Sequence, residues 1–429
     1  MMSKQADLLK LTVTEHKLAN GLEVCLMPKP NFHQTFAMFA TKYGSIDNEF
    51  VIDGKRRRVP DGIAHFLEHK MFEDEHVDVF AQFAAHGASV NAFTTFDETA
   101  YYFSCTSDVK DNLNILLDFV QRIYLTDENV EKEKGIIAQE IRMGDDNPDR
   151  RAFMELLAAM YQKHPVRIDI AGSVESIYEI TKSDLLDCYS TFYHPSNMVL
   201  VVVGGFDAKE MLEWIEQNQS RKTFGKAPVI ERVYPSEPEK PGSPRQEVHL
   251  SVTQPRCLIG WKEPHGTSNG RDLLHQEMLT GVLLDVLFGK TSSIYTELLD
   301  AGLIDKGFSW EYELTEHYGY TVVGGNSPDP YALADRIARY VADTRNRGID
   351  ADAFERARKK AIGRFIMSLD QNAYLAKTYL TYRLRGASFL DTVDALTSLS
   401  LADANRRLDE HLREESRVVS LILSNQATG

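Results

Sequence analysis

Asp61-Gly62-Ile63-Ala64-His65-Phe66-Leu67-Glu68-His69-Lys70-Met71-Phe72 is the stretch from which the rest of the chain is read. His65, Glu68 and His69 stand in it as H-x-x-E-H. On a helix of about 3.6 residues per turn, positions i, i+3 and i+4 share a face, so two imidazoles and a carboxylate project into one volume. Ile63, Phe66, Leu67 and Met71 make an apolar stripe on a neighbouring face, which lets the helix lie on a core while its polar face looks into a cavity. Asp61 is the expected N-cap. Imidazole nitrogens suit zinc, and a catalytic zinc takes three protein ligands and keeps a fourth position for water. Glu68 is then a carboxylate left over beside the metal. The competing reading is a helix carrying two ordinary, partly buried histidines.

Glu133 and Glu140 follow in a second helical segment, two turns apart and on one face with Ile137. Two readings are open. The helix can present Glu140 as a third ligand with Glu133 behind it, or it can be a solvated charged helix, since Glu128, Glu131, Lys132 and Lys134 crowd the same segment.

His65-Phe66-Leu67-Glu68-His69 followed by Glu133 and Glu140 resembles the pitrilysin, insulinase and mitochondrial processing peptidase family, whose H-x-x-E-H order is the inverzincin signature. Further landmarks stand in order. They are His16-Lys17-Leu18-Ala19-Asn20-Gly21-Leu22, Tyr43-Gly44-Ser45, Asn91-Ala92-Phe93-Thr94, and Tyr193-His194-Pro195-Ser196-Asn197-Met198 before a valine run. The resemblance covers the first half of the chain through its motifs and the second half through layout. It is strongest to short bacterial members, and it implies a pair of such chains enclosing a chamber.

With 429 residues the chain has length for two or three domains. A hydrophobic content of 43% is ordinary for a soluble protein, and a formal net charge of -15 argues against nucleic acid or an anionic membrane as partner. Cys25, Cys105, Cys188 and Cys257 lie far apart in apolar surroundings and read as reduced core residues. Residues 1–10 are polar and lack the apolar run of a signal peptide. No stretch is apolar for long enough to span a membrane. These features together fit a reducing cytoplasm.

Residues 11–27 alternate around Asn20-Gly21 and predict a hairpin; 36–43 predict a strand. Residues 53–60, with Lys55-Arg56-Arg57-Arg58, read as a basic loop. A hairpin is expected at 90–95 and 100–105, helices at 79–86, 111–123, 126–143 and 149–163, and a buried strand at 198–203. Gly204-Gly205 after that strand lacks nucleotide-loop spacing, so no nucleotide is expected. Five of the 15 prolines fall within 226–245, which reads as an extended linker. Beyond it strands at 248–257, within 304–323 and at 417–423, with helices at 271–288, 331–348, 352–369 and 372–385, repeat the earlier order. The expectation is α+β twice over by internal duplication, with a metal-bearing domain at 1–225, a linker at 226–246 and a second domain at 247–429 lacking the motif.

If His65, His69 and Glu140 hold one zinc, water there loses a proton near pH 7, and Glu68 can carry that proton to a leaving amine. Glu133 is expected in the catalytic group as support behind a ligand, since a fourth protein ligand would close the water site. An edge strand can pair with an extended peptide, and the resemblance puts Asn91 and Ala92 at that edge. His76, His86, His164 and His194 lack ligand-spaced partners. The function expected is a zinc endopeptidase for extended or unfolded polypeptides. A non-catalytic or peptide-binding subunit of the same fold, or a maturase of one precursor, are the alternatives. The resemblance further implies an Arg and a Tyr reaching the zinc from a segment matching 289–310. That segment has no arginine, with Leu299 where the Arg aligns and Asp305 or Phe308 near the Tyr. A heterodimer with a homologous subunit supplying both is therefore expected, with a homodimer as the other possibility.

Overall fold

Runs of β-branched and aromatic residues favour pleated, half-buried surfaces and build the sheets. The computed structural model describes residues 11–263 and 269–425, so the reading of 1–10 lies outside the described residues. The strands of the first half are β1 (Thr14–Lys17), β2 (Glu23–Pro28), β3 (Thr35–Thr41), β4 (Glu49–Ile52), β5 (Lys55–Arg58), β6 (Ser89–Thr94), β7 (Thr99–Cys105) and β8 (Met198–Gly204). After β9 (Ile230–Arg232) come β10 (Arg245–Leu250), β11 (Arg256–Lys262), β12 (Ser309–Leu314), β13 (Gly319–Asn326) and β14 (Arg417–Ser424).

The first sheet has the order β1-β2-β8-β3-β7-β6 and the second β10-β14-β11-β13-β12. Leaving β1 aside, the two orders match strand for strand. Each begins with a parallel pair, β2 with β8 and β10 with β14, and continues antiparallel. The duplication expected from the order of elements is thus present in the topology, and the fold is α+β. In the second unit helix Arg271–Phe288 follows β11 as the motif helix Ile63–Met71 follows β3.

The chain divides into two compact units that are not contiguous in sequence. The first comprises residues up to 141, 169–233 and 368–384; the second comprises 142–168, 234–367 and 385 onward. Helix Asn372–Leu384 packs on β3 and β8 of the first sheet, while helix Pro148–Met160 packs on β10, β11 and β14 of the second. The observed units therefore differ from contiguous blocks at 1–225 and 247–429 by one exchanged helix each way. Long-range packing decides this, and no local periodicity records it.

One local expectation is corrected. Residues 55–58 are not a loop: β5 pairs with β4 in a small sheet of order β5-β4-β9, its four cations all exposed. The stretch 226–246, expected as an extended linker, holds the boundary between the units at 233/234. It contains β9, and within the second unit the Glu237 carboxylate accepts from the N–H groups of Gln162, Lys163 and His164 at 2.8, 2.7 and 2.8 Å and from Lys262 Nζ at 2.6 Å.

Each unit has its own core. The first centres on residues such as Leu26, Phe39, Phe66, Leu67, Phe103 and Val202, the second on Ile259, Trp261, Leu283, Leu287, Val323 and Leu421. All four cysteines are buried and unbridged, and burial pushes the Cys105 thiol up to about 11 and those of Cys188 and Cys257 to about 12. Among the described residues no helix is long and apolar enough to cross a membrane.

Candidate metal centre

The motif helix is set in place by its start. Gly62 is the N-cap with φ 89°, and a Cβ there would come within 2.3 Å of the Ala171 carbonyl oxygen. Only glycine fits so close a backbone approach in the left-handed region. Asp61, expected as the cap, instead accepts Asn48 Nδ2 at 2.6 Å on its side chain and Ser176 Oγ at 2.8 Å on its carbonyl. Ile63, Phe66, Leu67 and Met71 are buried, which turns the histidine face away from the core.

On that face His65 and His69 meet Glu140 from helix Asp127–Asp145. His65 Nε2 lies 3.7 Å from Glu140 Oε1 and His69 Nε2 3.6 Å from Oε2. One donor atom from each residue lies within 4.8 Å of the other two. These separations are too long for good hydrogen bonds and near the roughly 3.4 Å between donors sharing one tetrahedral zinc. His69 Nδ1 lies 3.0 Å from Glu133 Oε1. A carboxylate there selects the tautomer with N–H on Nδ1 and leaves the Nε2 lone pair facing Glu140. Two imidazoles and a carboxylate, one imidazole oriented from behind, fit a zinc ion. The charged-helix alternative for 127–145 describes only its outer face.

Glu68 Oε2 accepts a 2.5 Å hydrogen bond from Thr94 Oγ1 of β6. Burial raises the Glu68 carboxyl above its ordinary range, against the Thr94 bond and the nearby His69, with Glu140 adding to the rise. Burial opposes a charged His69, but the bond to Glu133 and the surrounding carboxylates outweigh it and raise its pKa. Burial likewise opposes a charged Glu133, and His69 with Lys70 outweighs it, so that carboxyl is held below its usual range.

β6 is the edge of the first sheet, with β7 on one side and no strand of the described residues on the other. Asn91 is exposed and Ala92 half-buried along it. Asn91 Oδ1 accepts the N–H of Ala92 at 2.8 Å. Two residues of this site carry no local signal in the sequence: Thr94, which stands at the end of the Asn91-Ala92-Phe93-Thr94 motif, and Lys70, whose side chain is fully buried beside Glu133. The four histidines without ligand-spaced partners stand apart: His76 is exposed, His86 lies 3.8 Å from Asp108, His164 accepts the Val166 N–H, and His194 bonds Ser196 and Gly225.

Comparison with known proteins gives the family of the chain. The family model described as "Insulinase (Peptidase family M16)" matches residues 54–174, which contain every residue of the cluster. The zinc protease YmfH of Bacillus subtilis, named as uncharacterized, is 44% identical over 417 residues, 97% of each chain. The chain belongs to the insulinase family of M16 peptidases. The model described as "Peptidase M16 inactive domain" matches 179–361, outside the cluster. A solved M16-like peptidase from Alicyclobacillus acidocaldarius is 59% identical, with TM-score 0.95 over 97% of this chain and 99% of that one. A Helicobacter pylori protease at 20% identity and TM-score 0.84, covering 96% and 99%, shares the fold.

Proposed function

We propose that this M16 family member is a zinc-dependent endopeptidase acting on extended or unfolded polypeptides, with His65, His69 and Glu140 as ligands and Glu68 as general base. The observation that carries the reading is the convergence of three donors within 4.8 Å, beside a buried carboxylate and an open sheet edge. Zinc, when bound, supplies Lewis-acid polarisation of a carbonyl and brings the pKa of water to about 7. The chain's own residues do the rest. Glu68, whose carboxyl has a raised affinity for protons, takes the proton of the attacking water and gives it to the departing amine. Glu133 keeps the His69 ring turned toward the metal. β6 pairs with substrate backbone along Asn91 and Ala92, so sequence matters less than an extended conformation.

A homologous partner subunit completes the proposal. The segment 289–310 offers no arginine, and Leu299, exposed on helix Ser293–Asp300, stands where the family resemblance aligns one. A cation and a phenol where negative charge develops contribute a few kcal/mol that leucine cannot supply. The reading is tested by measuring zinc content and cleavage of an unstructured peptide and of a stable folded protein, for the chain alone and with a copurifying homologue. Zinc near one per chain, cleavage of the peptide only, and a marked gain with the homologue are expected. Absent zinc, or efficient cleavage of the folded protein, overturns the endopeptidase reading. Full activity alone, unchanged by the homologue, overturns the heterodimer.

A further inference from the structure

Lys70 follows the second motif histidine, and its side chain has no exposed area. A buried ammonium is costly unless its donors are met and its charge is balanced. Three oxygens surround Lys70 Nζ: Glu73 Oε2 at 2.6 Å, the Asn129 carbonyl at 3.1 Å and Glu133 Oε2 at 3.5 Å. An ammonium has three hydrogens; Glu73 Oε2 and the Asn129 carbonyl lie within hydrogen-bond distance, and Glu133 Oε2 lies at ion-pair distance and balances the charge. Glu133 divides its two oxygens, with Oε2 toward Lys70 and Oε1 at 3.0 Å from His69 Nδ1. Its side chain is 8% exposed, which leaves little solvent to take the place of the lysine.

We propose that Lys70 is a positioning residue of the metal centre: its buried ammonium fixes the Glu133 carboxylate, and through it the orientation of the His69 ring. The inference rests on the reading of His65, His69 and Glu140 as zinc ligands. Without the ammonium, Glu133 Oε2 loses its charged partner inside the protein, and the carboxylate turns toward whatever water or donor it can reach. His69 then loses the bond that aims Nε2. Partners behind a ligand are worth about 10- to 100-fold in metal affinity, so the effect lies within range of measurement. A lysine serving only to fill space or to tie Asn129 to the motif helix would leave zinc affinity untouched by way of Glu133.

The test is a four-way comparison of zinc affinity by chelator competition on the full chain: wild type, Lys70→Met, Glu133→Gln and the double variant. Lys70→Met is expected to bind zinc about 10- to 100-fold more weakly. Once Glu133→Gln is in place, adding Lys70→Met should change affinity by no more than about twofold, because the route is already cut. Wild-type affinity in Lys70→Met, or an equal loss in both backgrounds, overturns the inference. Should Lys70→Met fail to fold by circular dichroism, Lys70→Gln, which keeps a donor for the Asn129 carbonyl, takes its place in the same cycle. A wild-type chain that binds no zinc refutes the metal reading itself. Tight wild-type binding with unaffected lysine variants refutes only the role of Lys70.

Discussion

Each unit buries a cluster of carboxylate, histidine and cation, and the two are put together differently. In the second unit Glu263 accepts Arg407 through both oxygens, at 2.9 and 2.5 Å, with Gln276 Nε2 at 3.0 Å and Tyr312 Oη at 3.1 Å, and His411 Nδ1 stands 3.0 Å away as an ion-pair neighbour. Arg407 Nε donates to Thr280, and His411 Nε2 bonds Thr321. In the first unit His65, His69 and Glu140 instead converge at 3.6 and 3.7 Å, with the protein's tight bonds made behind them, at Glu133. Carboxylates and histidines thus make a hydrogen-bonded brace around Arg407 in one half and a cradle in the other. The distances between donors, more than their identities, separate the two.

The contrast breaks most sharply at the cradle. His65→Ala, His69→Ala or Glu140→Ala should each strip zinc and abolish peptidase activity, since removing one of three ligands leaves too few to hold the ion. Metal analysis after gel filtration decides it, and stoichiometric zinc in all three variants would defeat the assignment. Glu68→Gln sharpens the picture because it keeps shape and removes basicity. Zinc should stay while kcat falls by about two to four decades. A near-normal rate would remove Glu68 from the base role.

At the brace the effect should fall on stability. Glu263→Gln leaves Arg407 buried without its carboxylate, a loss of about 3–5 kcal/mol. Urea unfolding measures it, and zinc per folded chain should be unchanged. Loss of zinc at wild-type stability would mean the brace had been misread.

How much of this was legible beforehand follows from how local each signal is. Helical periodicity puts the side chains of H-x-x-E-H on one face and those of Glu133 and Glu140 on another, but it leaves the second helix open between ligand and solvated charge, and the family resemblance is what singles that pair out. The strands of the first sheet and β14 could be read from apolar runs, alternation and turn residues, nearly to their observed ends, whereas the expected 248–257 runs through the break between β10 and β11 and stops five residues short of the end of β11. β5 could not, since Lys55-Arg56-Arg57-Arg58 has neither alternation nor β-branched residues and becomes a strand through pairing with β4. The exchanged helices, 148–160 and 372–384, look like any amphipathic helix until the sheet they cover is known. Gly62 displaces Asp61 as cap because of a contact with residue 171, far along the chain. Thr94 and Lys70 likewise owe their roles to neighbours contributed by other elements.

The smallest expected effect concerns His164 in the second unit, which shows what burial does to a histidine lacking a carboxylate held against its ring. It is 2% exposed, its Nδ1 accepts the Val166 N–H at 3.2 Å, and the rings of Tyr161, Tyr234 and Tyr318 lie 5.5 to 5.9 Å away. Burial first and then His317 bring its pKa down from 6.5 to about 4, against an upward pull from Glu237 and with a smaller downward one from Lys262. A histidine whose folded pKa lies below its unfolded value takes up fewer protons when folded. Its stabilisation is therefore present above about pH 6.5 and is lost as pH falls toward 4. The whole shift corresponds to about 3 kcal/mol, of which about 2 should go between pH 6.5 and 4.5. His411, also lowered by burial, has the same sign, while Glu237 and Glu263, lowered by their partners, lose their contribution only at more acid pH. His164→Asn keeps an acceptor for the Val166 N–H and removes the titration. Urea unfolding of both proteins across pH 6.5 to 4.5 should show the wild type losing about 2 kcal/mol more than the variant. Parallel curves would mean that His164 is solvated and contributes nothing to acid sensitivity.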